Sequence, residues 1–379
     1  MNISYPIRTI SLLSGLASVM LSSCIREDLP LCPPEVVEKV EFKLYQTYTY
    51  HAHEGEADLF SAQARRSDVF IFDADNRYLS RRTDSVPTDA TSFYQTLTLA
   101  PGRYSFIVWG NLSDPIALSE LVPGQTSLEE ARLMLDTRNT FRSTVSDNTP
   151  QISNLALQSL FHGAVTTDVI AVPDQEDTVS LTKNTNHIHV VIRWKDKDGN
   201  PCSTRCNEGI TVRIAAHDGT YKFDNIPAND DWLHYMPYEA TRLDTTGLDT
   251  HFAVMRLMTD RDPRLVIERK DSSRVLYNAS LLADNILQHP QVNTQEDLDR
   301  QDEYEIVINL LCDLQAPDIP DIPDEPDNPD EPDEPDEPDE PDIPDIPDPD
   351  PPVTDGTYIQ TYITINGWTI TLQDTDIGI

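Results

Sequence analysis

Five cysteine thiols are the most reactive side chains in this sequence, and the surroundings of Cys24 set it apart from the other four. Cys24 follows the apolar run ISLLSGLASVML at residues 10–21 and the small residues Ser22 and Ser23. The run is too short to cross a bilayer, which takes roughly 20 apolar residues, and its length is typical of the hydrophobic region of an export signal. A cysteine directly after such a signal is suited to lipid attachment.

The segment Leu-Ser-Ser-Cys that ends at Cys24 resembles the lipobox of bacterial lipoproteins. We therefore predict that residues 1–23 are a lipoprotein signal peptide and that Cys24 receives a diacylglycerol thioether and an amide-linked acyl chain. Residues 24–35 then form a lipidated tether. Each buried methylene contributes about 0.8 kcal/mol, so three acyl chains would hold the protein permanently at a membrane. The alternative is a plain secretory signal followed by an incidental cysteine.

The remaining cysteines are even in number, which permits disulfides in an oxidising compartment and leaves three connectivities open. Cys202 and Cys206 are close in sequence and would close a small loop. Cys32 and Cys312 would then connect the two ends of the folded body.

Histidines recur at alternate positions in two places, His51 with His53 and His187 with His189. Two imidazoles on one strand face could bind zinc, but no third ligand follows at a recognisable spacing, so we predict no metal site. The sequence contains no Gly-x-Ser-x-Gly, P-loop, His-Glu-x-x-His or dinucleotide fingerprint. The absence of these motifs does not by itself exclude an enzyme, but it leaves no candidate catalytic residue, and we predict a non-enzymatic protein without a cofactor.

The charge balance is strongly acidic, with 65 acidic and 28 basic residues among 379 and a formal net charge of −37. Such a chain repels nucleic acid phosphates, so we predict no nucleic acid partner. Much of the excess lies in residues 317–352, where frequent prolines remove N–H donors and fix φ. We predict a disordered, extended Pro/Asp/Glu-rich linker there, followed by a C-terminal strand or hairpin at residues 353–379.

Before the linker, many short segments alternate apolar and polar residues, as VEKVEFKLYQTYTY does, which is typical of half-buried strands. Turns are predicted at Asp73 to Asn76, at Pro101-Gly102 and, as a tight hairpin, at Asp218-Gly219. The pattern predicts an all-β fold of two β-sandwich domains in tandem, an N-terminal domain at residues 36–183 and a C-terminal domain at residues 184–316.

Two short helices are also predicted within this β pattern. SLEEARLMLD begins with a Ser-x-x-Glu capping box formed by Ser127 and Glu130, and NASLLADNILQ forms the second helix.

The C-terminal segment has two alternating runs separated by Asn366-Gly367, which indicates a hairpin or a bulge. An isolated hairpin is barely stable in water, so these residues must pair with a sheet. Either they complete their own domain or they are exchanged with another subunit. The candidate strand-exchange residues are Tyr362, Ile363, Ile365, Trp368, Ile370 and Leu372.

Several segments, in order, resemble the FimB-type fimbrial anchor proteins of the Bacteroidota: DVFIFDADNRYL, GRYSFIVWGNL, LFHGAV, LTKNTNHIHVVIR, YEATRLDTTG and DLDRQDEYEIVINL. The start IREDLPLC and the tail ITINGW are similar to that family too, whereas the long Pro-Asp tract departs from it. The resemblance implies two transthyretin-like domains and an outer-membrane lipoprotein, facing the cell exterior, that anchors a fimbria and influences its length.

The resemblance also implies fimbrial shaft or accessory subunits as protein partners, with the N-terminal lipid in the outer membrane. The alternative is an accessory or tip adhesin that binds host protein or glycan. A third interpretation, a lipoprotein enzyme of glycan uptake, has no candidate residues.

Overall fold

Strands dominate the computed structural model, which describes residues 38–51, 57–135, 151–196, 198–202, 209–228, 232–243, 247–270, 275–311 and 358–372. These ranges contain two short α-helices, α1 (Phe60–Gln63) and α2 (Gln295–Arg300), and one 3₁₀ helix, Ile286–Gln288. The predicted all-β fold class is confirmed. The signal peptide, the tether and the linker lie outside the described residues, as do Cys24, Cys32, Cys206 and Cys312.

In the first half of the chain the strands are β1 (Val40–Thr47), β2 (Arg66–Phe72), β3 (Tyr78–Ser85), β4 (Phe93–Leu99), β5 (Gly102–Gly110), β6 (Ile116–Leu118), β7 (Arg132–Leu135), β8 (Gln151–Ser153), β9 (Phe161–Val169), β10 (Gln175–Ser180) and β11 (Thr182–Lys183). Sheet A has the order β10-β1-β4, and sheet B has the order β11-β9-β5-β2-β3. In sheet A, β1 runs parallel to β10 and antiparallel to β4.

In the second half the strands are β12 (Thr185–Lys195), β13 (Ile210–Ala216), β14 (Thr220–Lys222), β15 (Leu233–Tyr235), β16 (Glu239–Leu243), β17 (Gly247–Met255), β18 (Arg264–Arg269), β19 (Val275–Ser280), β20 (Glu303–Leu311), β21 (Tyr358–Ile365) and β22 (Trp368–Thr371). Sheet C has the order β16-β17-β12-β20-β21-β22, and sheet D has the order β19-β18-β13-β15-β8. Sheet E has the order β14-β7-β6, and both sheet D, through β8, and sheet E combine strands from the two halves.

The central strands β2 and β5 of sheet B are buried on both faces, which explains their uninterrupted apolar runs. On one face Val69 and Ile71 belong to the core shared with sheet A. On the other face Phe70 and Phe72 belong to a second core that continues into sheets C, D and E. A strand buried on both sides needs apolar side chains at every position, so its sequence does not alternate.

Strand β12 is the centre of sheet C, with β17 antiparallel on one side and β20 parallel on the other. Its alternate residues Ile188, Val190 and Ile192 are fully buried in the second core. The intervening positions face the opposite side of the sheet, because successive strand residues point to opposite faces. That side carries His187 and His189.

The turn at Asp73 to Asn76 is confirmed, because it connects β2 and β3, which pair with each other. The hairpin predicted at Asp218-Gly219 is wrong. The strands on either side of it join different sheets, β13 pairing with β15 and β18 while β14 pairs with β7. The short segment at Asp218-Gly219 therefore connects strands of two different sheets.

The helix predicted from Ser127 is also wrong, although its capping contact forms. Ser127 Oγ donates to Glu130 Oε2 at 2.8 Å, but the chain makes a single turn and then extends into β7. Alternate residues Ala131, Leu133 and Leu135 are buried, so the period of two prevails over the local helix signal.

The 3₁₀ helix and helix α2 differ in how well the sequence predicts them. NASLLADNILQ is helical only in the 3₁₀ turn Ile286–Gln288. Helix α2 was not predicted, although Thr294 and Asp297 form a complete capping box at its start.

Candidate functional site

The C-terminal hairpin forms one edge of sheet C. Strand β21 pairs antiparallel with β20, and β22 folds back on β21 with Ile365 opposite Trp368. Asn366 and Gly367 both have positive φ, 51° and 75°, which is the backbone of a two-residue type I′ turn. The predicted hairpin is confirmed, and of its two proposed placements the structure shows the one in the chain's own sheet.

The candidate exchange residues divide between the core and the surface. Ile363 and Ile365 are fully buried in the second core, and Leu372 is buried beside it. Tyr362 and Ile370 are half-buried. Strand β21 therefore completes sheet C of its own chain, because its alternate side chains Ile363 and Ile365 pack into the second core.

Trp368, in contrast to these buried residues, lies at the surface, with 52% of its surface exposed. Its carbonyl accepts a hydrogen bond from His289 Nε2 at 3.0 Å, and the two rings meet edge to face with centroids 5.7 Å apart. Strand β22 is the outermost strand of sheet C in the part of the chain that the structure describes. An edge strand offers backbone N–H and C=O groups to a partner strand, and an exposed tryptophan beside it is a suitable anchor.

A polar cleft of about 600 Å³ lies beside this hairpin and reaches from Asn366 and Gly367 to the histidines of β12. Burial lowers the pKa of His187 below its usual range, and Lys183 lowers it further. Lys183 itself forms an ion pair with Asp302.

The structure brings His189 together with Asp249 and His251 of β17, two residues that were not among the predicted candidates. The signal was present as Asp249-x-His251, a third pair of potential metal ligands at alternate positions. Nothing in the sequence showed that β17 would lie directly beside β12. His51 is bonded locally, with its Nε2 2.9 Å from the carbonyl oxygen of Ala57, and His53 lies outside the described residues.

Cys202 is disulfide-bonded, whereas the other four cysteines lie outside the described residues. The described α-helices have four and six residues, and none is long and apolar enough to span a membrane.

Comparison with protein families identifies the kind of protein to which this β architecture belongs. The model for Fimbrillin-A associated anchor proteins Mfa1 and Mfa2 matches residues 29–374. The chain belongs to this family. The predicted relationship to fimbrial anchor proteins is thereby confirmed, and the family consists of fimbria-associated proteins and not of enzymes.

One curated relative is the minor fimbrium anchoring subunit Mfa2 of Porphyromonas gingivalis, which is 21% identical over 232 residues. The alignment covers 59% of this chain and 65% of that protein, so less than two thirds of the relative's length is matched.

Solved structures share the fold over most of the chain. The fimbrial anchor protein Mfa2 from P. gingivalis has a TM-score of 0.62 at 17% identity, covering 88% of this chain and 100% of that one. A candidate adhesin from Bacteroides ovatus has a TM-score of 0.64 at 20% identity, covering 89% and 97%. At these identities the likeness shows the fold alone.

Proposed function

We propose that this protein is a non-enzymatic lipoprotein of the outer membrane that anchors a surface fimbria, faces the cell exterior and helps to set fibre length. The observation that carries the proposal is the family match across residues 29–374, because the family consists of fimbrial anchor proteins. Two parts of the molecule would divide the work, an acylated Cys24 on the membrane side and the edge of sheet C on the fibre side.

On the fibre side, β22 and Trp368 supply what a strand-mediated contact needs. The fibre subunit would add a strand to the edge of sheet C, and its side chains would cover the exposed indole of Trp368. Truncation of such a buried aromatic contact costs 2 kcal/mol or more of binding free energy, about a 30-fold loss of affinity.

An anchor attached through its N-terminal lipid must keep the chain uncut between the lipid and the folded body. The Arg65-Arg66 pair is a candidate site for a trypsin-like protease, but its backbone is held on both sides. The carbonyl of Arg65 accepts from Val86 N at 3.0 Å, and that of Arg66 accepts from Asn111 N at 2.8 Å. The Asn111 side chain also accepts from Arg65 N at 2.7 Å. These bonds support an intact chain, because a protease must first extract this segment from its neighbours.

The proposal is tested by deleting the gene and by replacing Cys24 with alanine. Deletion should release fibres into the medium or lengthen them. Cys24→Ala should abolish incorporation of labelled fatty acid and release the protein from the outer membrane, with the same fibre defect. Normal fibres of normal length in both strains, with reduced binding to a host surface, would instead support the adhesin alternative.

The contact is tested with two exposed tryptophans. Trp368→Ala should reduce co-purification with fibre subunits by about 30-fold or more while leaving the free energy of unfolding within about 0.5 kcal/mol of wild type. Trp232→Ala is the matched control, since Trp232 is 42% exposed and lies outside the hairpin. Equal co-purification of the wild type and the Trp368 variant would remove the hairpin edge from the proposed contact.

A further inference from the structure

Three strands of sheet C place histidine and carboxylate side chains in one row on its outward face. His189 of β12 is the register partner of His251 in β17 and of Glu305 in β20. Asp249 lies two residues before His251, so both side chains of β17 point to this same face. The β-sheet therefore assembles the group from segments that are far apart in the sequence.

The nitrogen atoms of the two histidines converge on one carboxylate oxygen. Asp249 Oδ1 is 2.9 Å from His189 Nε2 and 3.1 Å from His251 Nε2. The imidazole rings lie parallel with centroids 4.3 Å apart. All three ligand atoms fall within 4.8 Å of one another.

These separations match the demands of a small tetrahedral cation. Zn²⁺ binds His nitrogen and Asp oxygen at about 2.0–2.2 Å, which places ligand atoms roughly 3.3 Å apart. Small rotations about the broad χ2 torsions of the two imidazoles suffice to aim both nitrogens at one point.

The second carboxylate of the group, Glu305, has the position of an outer support. Glu305 Oε2 lies 3.1 Å from His189 Nδ1, the ring nitrogen that does not face Asp249. Metal-binding histidines commonly donate their second N–H to a carboxylate, which fixes the tautomer and the ring orientation.

We propose that His189, Asp249 and His251 form a Zn²⁺ site on the outward face of sheet C, with Glu305 orienting His189. Three protein ligands leave the fourth coordination position to water. His189 and His251 line the polar cleft beside the C-terminal hairpin, so the site is open to solvent on that side. The ligand side chains are about one quarter to one third exposed, which lets a hydrated ion enter.

The bound ion would connect β12 to β17 at the middle of sheet C, so Zn²⁺ should stabilise the folded chain by binding it in preference to the unfolded one. This property is independent of anchoring and would hold for the isolated protein.

The test uses the full-length protein purified in detergent and titrated with ZnCl₂ against a chelator of known affinity. Since the aspartate-rich tract also attracts cations, the readout is the difference between wild type and variants. His189→Ala and His251→Ala should each weaken the tightest Zn²⁺ site by 100-fold or more, and Glu305→Gln, which removes only the outer support, by about 10–100-fold. His234→Ala on β15 is the matched control and should bind as wild type does.

Melting temperatures with Zn²⁺ and with EDTA provide the second measurement. Zn²⁺ should raise the melting temperature of wild type and of His234→Ala, but not that of His189→Ala or His251→Ala. Glu305→Gln keeps all three ligands, so it tests the proposal even if the alanine variants fold poorly. Equal Zn²⁺ affinity in wild type and all variants, or no thermal response of wild type, would reduce the cluster to a hydrogen-bond network and overturn the proposal.

Discussion

His162 is a buried histidine where the two halves of the chain meet. Its Nε2 donates to the carbonyl of Phe223 at 3.0 Å, and its ring packs on Trp109 with centroids 4.5 Å apart. Burial lowers the pKa of His162 to about 4. The folded protein therefore keeps this imidazole neutral at pH values where the unfolded chain already protonates it.

This difference predicts that acid weakens the fold. The unfolded histidine takes up a proton below pH 6.5 and the folded one only near pH 4, so stability is lost as the pH falls through that window. Between pH 7 and pH 4.5 the contribution of His162 should amount to roughly 2–3 kcal/mol of unfolding free energy. Urea unfolding of wild type and His162→Gln at both pH values measures it.

The glutamine variant should lose less stability on acidification than wild type does. Some loss should remain. Burial also lowers the pKa values of His187 and His234, and both residues remain in the variant. If the unfolding free energies of the two proteins depended identically on pH, the acid effect could not be assigned to His162.

At the scale of elements, β9 passes so close to residues 179–181 that Gly163 has no room for a side chain. A Cβ on Gly163 would lie 2.5 Å from Val179 Cγ1 and 2.7 Å from the carbonyl oxygen of Ser180. Gly163→Ala should therefore cost about 1–3 kcal/mol through overpacking, measured by urea unfolding. Gly102→Ala in β5 is the control, because its Cβ would meet nothing closer than 3.5 Å. Equal stability of both variants would show that β9 can move aside.

The C-terminal hairpin gives a second prediction at this scale. Ile363→Ala removes a fully buried side chain from the second core and should lower the unfolding free energy by about 2–5 kcal/mol. Thr371→Ala on the exposed side of the hairpin should change it by less than about 0.5 kcal/mol. Urea unfolding checks both variants. No loss in the Ile363 variant would mean that β21 leaves its own sheet in solution.

The sequence predicted individual strands and local turns better than it predicted which strands pair with each other. The Asn366-Gly367 hairpin needs only two residues that accept positive φ, and it was found. The parallel pairing of β1 with β10 joins residues more than 130 positions apart, which no local pattern reveals. The same limit hid the cluster around His189, since its ligands become neighbours only when β17 pairs with β12. At Ser127, a local helix signal misled because burial of alternate side chains decided the structure.

At the scale of the whole molecule, Phe223 connects the two halves. It is fully buried, and its ring meets those of Phe70, Phe72 and Trp109 with centroids 5.0, 6.2 and 6.3 Å away. Lys183 of β11 also forms an ion pair with Asp302 of the second half. The halves therefore share the second core, and we expect wild type to unfold in a single transition.

Phe223→Ala should remove about 3–5 kcal/mol from this junction. With the shared core weakened, differential scanning calorimetry should show two separated transitions in place of one. Ile226→Ala in the same loop, where 47% of the side chain is exposed, should leave a single transition near the wild-type temperature. A single transition in the Phe223 variant, merely shifted, would show that other contacts suffice to couple the halves.

The place of β1 in sheet A has a mechanical consequence. The chain enters this strand from the N-terminal side, and β1 lies between β4 and β10 and not at the edge of its sheet. A force transmitted along the strand axis from that side loads both ladders of hydrogen bonds in shear, so the bonds must rupture together and cannot peel apart singly. Under the proposed attachment through Cys24, the folded body should resist tension until both ladders rupture together, which would suit a component exposed to drag from flowing fluid.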